Sequence, residues 1–471
     1  MITEQQWLKK YNVNGPRYTS YPTALEFNQS ITDNFQLAAA KGSENKHLSL
    51  YFHIPFCFEL CFYCGCNKIV SRHQEKSNRY VEMMLKELRA RSVALRNKPV
   101  NQIHFGGGTP NFLTKEQFQQ IFKAINDDFI IEDKAEISVE LDVRHVSFSL
   151  LTTLRDCGVN RLSFGLQDTN EEVQKAINRQ QSNELVSKVL EWSKQLGFES
   201  INVDLIYGLP HQSITIFEQT LRDVVAFNPD RISLFSYAHL PSRFASQRKI
   251  KDEWLPTPPQ KLELMLLANQ VLCEQAGYVA IGFDHFAKPS DRLVSAQELG
   301  ELHRNFQGYT LLADSDLLAI GASAISYIGN VYMQNPKKIS DYYDVYDTQN
   351  LTTAFISNIE KPSGYSNPFP KLPGRILTHD DLVRADIIKH LMCNFLIKFE
   401  YVESKWGVDF LSYFSKELLS LVPFEEDGML RYSDSEIVIN PKARLFVRNI
   451  CMTFDRYLAS QLNQKRYSQV I

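Results

Sequence analysis

The sequence predicts an α/β fold: a partial, TIM-like (β/α) barrel with an N-terminal irregular segment and a smaller, mainly α-helical C-terminal domain. Three observations predict it. Short strand-like runs alternate with longer helical patterns from about residue 47 to about residue 290. Most of the strand runs are largely apolar, as parallel strands covered on both faces should be. The connections are long enough for right-handed crossovers between parallel neighbours.

The elements follow in chain order. Met1 to Lys10 is polar and lacks an apolar core before a small-residue cleavage site, so no secretory signal is expected. Gly15-Pro16 and Tyr21-Pro22 make the next stretch irregular, and it is expected to lie across the barrel mouth with Arg17 as its nearest cation. Strands are expected at His47 to Ile54, Gln102 to Phe105, Glu136 to Leu141, Arg161 to Leu166, Ser200 to Ile206, Arg231 to Ser236 and Tyr278 to Phe283. Helical spacing lies between them, at Asn78 to Leu95, Lys115 to Phe129, Val146 to Cys157, Glu184 to Leu196, Ile214 to Phe227 and Pro259 to Ala276. Past residue 290 the periodicity is irregular, then helical at Asp380 to Phe399, Phe410 to Leu421 and Ala443 to Leu458. Asp347 to Leu377, rich in Asn, Pro, Ser and Gly, reads as a surface loop. The expected division is residues 1–45 as the closing segment, 46–290 as the barrel, 291–378 as an extension and connecting loop, and 379–471 as the helical domain.

Composition supports a large buried core: 471 residues, 44% hydrophobic and 22% charged, with a formal net charge of −3. This balance gives no argument for nucleic acid or membrane as a partner, and no long uncharged apolar run appears. Eight cysteines with no paired framework and no export signal lead to an expected cytoplasmic location.

Cys57, Cys61 and Cys64 form a C-x3-C-x2-C motif directly after the first strand. Thiolates are soft ligands suited to iron–sulfur clusters, and three of them can wrap one cluster while leaving an iron open for chemistry. Structural zinc fits poorly, because no second C-x2-C pair completes a closed four-ligand site. Cys157, Cys273, Cys393 and Cys451 stand singly in apolar, helix-like contexts and read as buried hydrophobes.

Loops after parallel barrel strands collect on one face, so strand-end residues become candidates for one shared site. They are the cysteine loop, then Gly106-Gly107-Gly108-Thr109-Pro110, Glu140 with Asp142 and Arg144, Gln167 with Asp168, and Asp204 leading to Tyr207-Gly208-Leu209-Pro210. Each is separately compatible with a tight turn or a solvated loop charge. Their recurrence at successive strand ends favours a site.

Through Cys57, Cys61 and Cys64, Gly106 to Pro110 and Glu140, the chain resembles the radical S-adenosylmethionine enzymes. The segment Gly15 to Thr23, the Cys-Gly-Cys ending at Cys66, Asp284-His285-Phe286-Ala287 and His303 to Thr310 resemble the branch of that superfamily that decarboxylates coproporphyrinogen III without oxygen. The resemblance runs from about residue 11 to the C-terminus. It implies a barrel of the radical S-adenosylmethionine type, a 4Fe-4S cluster, two molecules of S-adenosylmethionine and coproporphyrinogen III as substrate. The implied reaction turns two propionates into vinyl groups, giving protoporphyrinogen IX, with an unidentified electron donor and acceptor and a monomeric enzyme.

Carried over residue by residue, the resemblance implies Cys57, Cys61 and Cys64 as cluster ligands. It implies Tyr51, Gly107, Glu140 and Ile325 at the first S-adenosylmethionine, with Glu140 suited to its amino group. For the second it implies Gly108, Thr109, Gln167, Arg179, Asp204 and Ala238. Tyr63 stands where the family usually has a phenylalanine stacked near adenine, and Val143 where it tends to have proline. Cys66 is expected not to be a ligand, since a fourth thiolate would close the open iron. Arg17, Arg243, Arg248 and Arg304 are the candidates for pairing with substrate carboxylates. The alternative reading is a haem-binding, chaperone-like relative on the same barrel without decarboxylase activity. Such proteins typically lack a cysteine at the Cys66 position and the Pro16 to Thr23 segment.

Overall fold

The structure is a computed structural model that describes residues 3–31, 47–313, 315–347, 371–458 and 467–469. Of the Asp347 to Leu377 stretch, residues 348–370 lie outside the described residues.

Six parallel strands form the centre of the fold: β1 (His47–Ile54), β2 (Val100–Gly107), β3 (Ile131–Leu141), β4 (Arg161–Gln167), β5 (Ser200–Tyr207) and β6 (Arg231–Ser236), adjacent in that order. They are the first six runs that the sequence marks as strands. Helices Lys76–Ser92, Lys115–Asp128, Phe148–Asp156, Asn183–Gln195 and Ile214–Phe227 make the crossovers. Thr114, Ser147, Ser182 and Ser213 cap the last four of these, each side chain accepting from an orphan amide of the first turn.

The strands are apolar on one face only. On β3, Ala135, Ile137, Val139 and Leu141 are buried and belong to the main core. The alternate residues Glu136, Ser138 and Glu140 line an internal cavity, as do Gln102 and His104 of β2, Ser163 of β4, and Asn202 and Asp204 of β5. A period of two puts these residues on the opposite face of each strand. The expectation that both faces are apolar therefore holds for the helix-covered side and fails for the inner one.

The sheet does not close into a barrel. Instead of a seventh parallel strand over Tyr278 to Phe283, β7 (Val279–Ile281) turns back through Gly282 into β8 (His285–Ala287), which pairs antiparallel with β6. Three residues between β7 and β8 permit a hairpin and exclude a crossover. At the opposite edge β9 (Ser315–Ile320) lies parallel to β1, with Leu318 opposite Leu50. The sheet continues antiparallel through β10 (Ile325–Ile328), β11 (Val331–Gln334) and β12 (Pro373–Ile376), and the two residues Gln29–Ser30 complete thirteen strands among the described residues. The sequence signals none of β9 to β12, each being six residues or fewer.

Other expected helices are subdivided. Pro258–Asn269 is α-helical and continues as a π-helical stretch, Gln270–Gln275. The helix expected over Asp380 to Phe399 is His379–Asn394, ended by Phe395 in the left-handed region at φ 56° and followed by a strand at Leu396–Lys398. That strand pairs with Glu436–Ile439, which also pairs with Leu430–Tyr432. The expected helix at Phe410 to Leu421 is two helices, Phe410–Tyr413 and Ser415–Glu426, and that at Ala443 to Leu458 is a 3-10 turn, Pro441–Phe446, leading into Val447–Met452.

Helix Glu4–Tyr11 packs on this C-terminal part. Trp7, Leu8 and Tyr11 share its apolar core. The Trp7 indole donates to the Asp427 carbonyl at 3.0 Å and meets the Phe446 ring edge-on at 5.9 Å. From there the segment runs irregularly to Ile31, and Asn14, Arg17 and Thr19 reach the cavity wall. No helix among the described residues is long and apolar enough to cross a membrane.

Candidate active site

The cysteine loop leaves β1 and is tied down on several sides. Phe56–Cys57 pairs parallel with Ile69–Val70, closing the loop at its base. Phe62 N donates to the Ile177 carbonyl at 2.9 Å, Asn178 Nδ2 to the Leu60 carbonyl at 2.8 Å, and Gln247 Nε2 to the Tyr63 carbonyl at 2.8 Å. Lys68 Nζ donates to the Cys64 carbonyl at 2.9 Å. With its backbone satisfied in this way, the loop holds its three sulfurs in fixed places.

Each of those sulfurs receives a donor. Thr109 Oγ1 points at Cys57 Sγ (3.4 Å), Arg179 Nη1 at Cys61 Sγ (3.6 Å), and the Cys66 amide at Cys64 Sγ (3.4 Å). Donors aimed at sulfur favour thiolates over thiols and tune a metal cluster from outside its ligand shell. Among the described residues no three His, Cys, Asp or Glu side chains converge on a single ion. A cluster needs no such convergence, because its cysteines bind different irons and stand apart. None of the eight cysteines is in a disulfide. The donor set therefore fits a cluster held by Cys57, Cys61 and Cys64.

Gly107 and Glu140 are locked together. Gly107 has φ 115°, and a Cβ there would sit 2.7 Å from the His53 ring, so only glycine fits. Its amide donates to Glu140 Oε2 at 3.3 Å, and His104 Nε2 lies 3.1 Å from Oε1. Tyr51 stacks on the His104 ring at 5.8 Å, and its hydroxyl lies 3.1 Å from His53 Nδ1. The Glu140 side chain is 42% exposed and faces the cavity with lone pairs to spare.

Arg179 sits beside Cys61. Its Nη1 is 3.1 Å from Asp142 Oδ2, and Nε donates to the Gly165 carbonyl at 3.1 Å. Arg144 adds a second cation, at 2.6 Å from Asp142 and 2.6 Å from Glu59. The two guanidinium groups overcome the burial of Asp142 and hold its carboxyl far below the usual range. Most of the Arg179 fork is thus spent inside the protein, so a ligand carboxylate there would share an arginine already engaged.

Gln167 adopts φ 71°, and the next residue, Asp168, is fully buried. Asp168 accepts from Gln212 Nε2 at 2.7 Å, Thr220 Oγ1 at 2.9 Å and the Asn170 amide at 2.7 Å; burial still pushes its carboxyl up to about 6. Asp204 accepts from Asn202 Nδ2 at 2.7 Å and Ser163 Oγ at 3.2 Å, and burial, then the charge of Glu140, raises it to about 6.

The cavity measures about 900 Å³. Tyr63, Cys64, Cys66, Gly108, Thr109, Glu140, Gln167, Arg179, Asp204 and Ala238 line it. Cys57, Cys61, Tyr51 and Gly107 are not part of its lining, and Ile325 packs instead against the small cluster of Phe27, Tyr332 and Leu377. Tyr63 packs on the apolar cluster that includes Ile177, Leu209 and Ile250. Of the four candidate arginines, Arg17 and Arg304 line the cavity and Arg243 and Arg248 do not. Arg304 is 2.9 Å from Asp284, which also pairs with His285 at 2.7 Å. The sequence reading missed His104, Lys261 and Arg448. A polar residue at period two in an apolar strand would have flagged His104; Lys261 and Arg448 lie in helices whose surroundings only the fold reveals.

The Radical SAM superfamily model matches residues 51–224, and the HemN C-terminal domain model matches residues 377–446. The chain is 46% identical to the oxygen-independent coproporphyrinogen III oxidase of Salmonella typhimurium over 100% of both chains. It is 45% identical to that of Escherichia coli K12 over 98% of this chain and 97% of the other. The Synechocystis protein of the same name is 42% identical over 98% and 97%. The solved structure of coproporphyrinogen III oxidase (HemN) from Escherichia coli, a radical SAM enzyme, superimposes with a TM-score of 0.87 at 45% identity, covering 94% of this chain and 97% of that one. By full-length similarity and by fold, the chain belongs to the oxygen-independent coproporphyrinogen III oxidase family of radical S-adenosylmethionine enzymes.

Proposed function

We propose that the cavity is where coproporphyrinogen III loses two carboxylates to give protoporphyrinogen IX. The observation that carries this reading is the set of three cysteine sulfurs, each with its own donor, beside a cavity large enough for a macrocycle. The cluster and S-adenosylmethionine supply, when bound, a carbon radical able to take hydrogen from an unactivated C–H bond. Each propionate then gives up one hydrogen atom, one CO2 and one electron to become vinyl, so the protein needs no base for the C–H bond.

What the chain supplies is position and shielding. Cys57, Cys61 and Cys64 hold the cluster, and the carboxylate of Glu140, braced by His104 and the Gly107 amide, takes the amino group of S-adenosylmethionine. Tyr51 reaches Glu140 through His104 rather than directly. A second S-adenosylmethionine bound by Gly108, Thr109, Gln167, Arg179, Asp204 and Ala238 is supported by the fact that all six line the cavity. The free cysteines support a reducing, cytoplasmic setting.

Anaerobic reconstitution with iron and sulfide, followed by a reductant, S-adenosylmethionine and coproporphyrinogen III, tests the reading. Vinyl product and one 5'-deoxyadenosine per vinyl group are expected. Tight haem binding with no vinyl product would instead establish the haem-chaperone alternative.

A further inference from the structure

Asp284 and His285 stand where the chain turns from β7 into β8, and the radical chemistry above gives them nothing to do. In β8 the Phe286 side chain is buried in the main core, so that of its neighbour His285 points to the opposite, inner face. There it lines the cavity, 13% exposed. The imidazole meets two aromatic rings at nearly right angles, Phe235 at 5.7 Å and Tyr309 at 4.9 Å, which fixes its plane.

Its two nitrogens are in different situations. His285 Nδ1 lies 2.7 Å from Asp284 Oδ1, while Asp284 Oδ2 accepts from Arg304 Nη2 at 2.9 Å. The Asp284 carbonyl accepts from the Leu234 amide of β6 at 2.8 Å, which ties the turn to the sheet. Arg304 is braced in turn by the Tyr309 hydroxyl, 3.4 Å from Nη1. A Cβ on Gly282, at φ 56°, would collide with that hydroxyl, so the turn needs glycine for this arrangement to form. Against burial, the charge of Arg304 above all holds the Asp284 carboxyl down at about 2. An ionised carboxylate can only accept, so the proton between the two residues sits on Nδ1. Among the described residues Nε2 has no hydrogen-bond partner. Arg304 already matches the charge of Asp284, the pair calls for no second cation, and Nε2 keeps a lone pair for the cavity.

We propose that His285 binds the substrate by accepting a hydrogen bond at Nε2 from a pyrrole N–H of coproporphyrinogen III, with Asp284 as the positioning residue that sets its tautomer. The proposal rests on the decarboxylase reading above. The polar groups of this substrate are four carboxylates and four pyrrole N–H groups. A lone pair repels the first and suits the second, which can only donate. A pyrrole N–H enclosed in the cavity without an acceptor would lose its hydrogen bonds to water with nothing in return.

The test uses the reconstituted full-length enzyme under anaerobic conditions. His285→Phe keeps a ring between Phe235 and Tyr309 but removes the acceptor; KM for coproporphyrinogen III should rise about fivefold, the loss of one neutral hydrogen bond, with KM for S-adenosylmethionine within about twofold of wild type. His285→Gln, whose amide carbonyl can accept at similar reach, should recover most of the affinity. The tetra-N-methyl derivative of the substrate has no N–H, and in equilibrium dialysis it should bind wild type and His285→Phe equally weakly. Three results would each overturn the contact: an unchanged KM for coproporphyrinogen III, a His285→Gln variant no better than His285→Phe, or an N-methyl derivative that still separates wild type from His285→Phe. Cluster absorbance checks folding. If wild type forms no vinyl product, the enzymatic reading has failed. Equilibrium dialysis of coproporphyrinogen III then decides the contact separately: weaker binding to His285→Phe upholds it, and equal binding ends it.

Discussion

At the scale of single residues, Cys61 and Cys66 separate two roles that the motif alone leaves mixed. Cys61 is buried and takes a donor from Arg179, as a metal-bound thiolate would. Cys66 lies at the cavity wall, and its amide serves the sulfur of Cys64. Cys61→Ser should abolish cluster absorbance and vinyl formation together. Cys66→Ser should retain the cluster absorbance, and its disappearance in that variant would mean that Cys66 is a ligand. Glu140 gives a second prediction. Glu140→Gln keeps the shape but removes the anion proposed to take the ammonium group of S-adenosylmethionine. KM for S-adenosylmethionine should rise by about tenfold to a hundredfold, the range for a lost charged hydrogen bond, with cluster content unchanged. Equal affinity in the variant would remove Glu140 from that role. The sequence made these residues legible because they stand at the ends of strands whose apolar patterns are plain. Asp142 was visible only as a charge, since its work is to hold Arg179 against Cys61 and that contact joins residues far apart in the chain.

At the scale of elements, the loop after β4 shows how a buried acid shapes the site. Gln167 is in the left-handed region, and Asp168 fastens the turn through Gln212, Thr220 and the Asn170 amide. The folded-state value of about 6 lies above the ordinary 3.8, so the folded chain binds this proton more tightly than the unfolded chain. Its contribution to stability is therefore full below about pH 4 and is lost as pH rises through about 6. Asp168→Asn removes that dependence. Between pH 4 and 7 the stability of wild type relative to the variant should fall by about 2 kcal/mol, most of what roughly two pH units at about 1.4 kcal/mol each supply, since the unfolded carboxyl is already half ionised at pH 4. Urea unfolding at the two pH values measures it, and a constant difference would show that the carboxyl is not raised. The elements themselves were unequally legible. The six central strands and their crossover helices follow from periodicity, whereas β9 to β12 are short and gain their place only by pairing with one another and with β1. The run from Tyr278 to Phe283 has strand composition, but its direction is decided by the three-residue connection to β8.

At the scale of the whole molecule, the open sheet leaves a cavity that its own strands do not close. The wall on one side is made by the N-terminal segment, and that segment is held from the far end of the chain. Asn449 Nδ2 donates to the Tyr11 carbonyl at 2.7 Å, Tyr18 donates to Asp455 at 3.0 Å, and the Gly15 amide donates to the Ser468 carbonyl at 3.0 Å. Helix Glu4–Tyr11 anchors the start of the segment by burying Trp7, Leu8 and Tyr11 in the C-terminal core. Radical chemistry needs this wall twice: to hold the substrate and to keep other hydrogen donors and water away. Removing residues 1–11 takes away the anchor while leaving the cysteine loop, Glu140 and the sheet untouched. The truncated enzyme should bind iron and S-adenosylmethionine as wild type does, yet spend more S-adenosylmethionine per product. Wild type should form one 5'-deoxyadenosine per vinyl group; the truncation should exceed one, with a higher KM for coproporphyrinogen III. Quantifying both products in the same anaerobic reaction decides the matter, and a ratio that stays at one would mean that the segment keeps its place without its N-terminal helix.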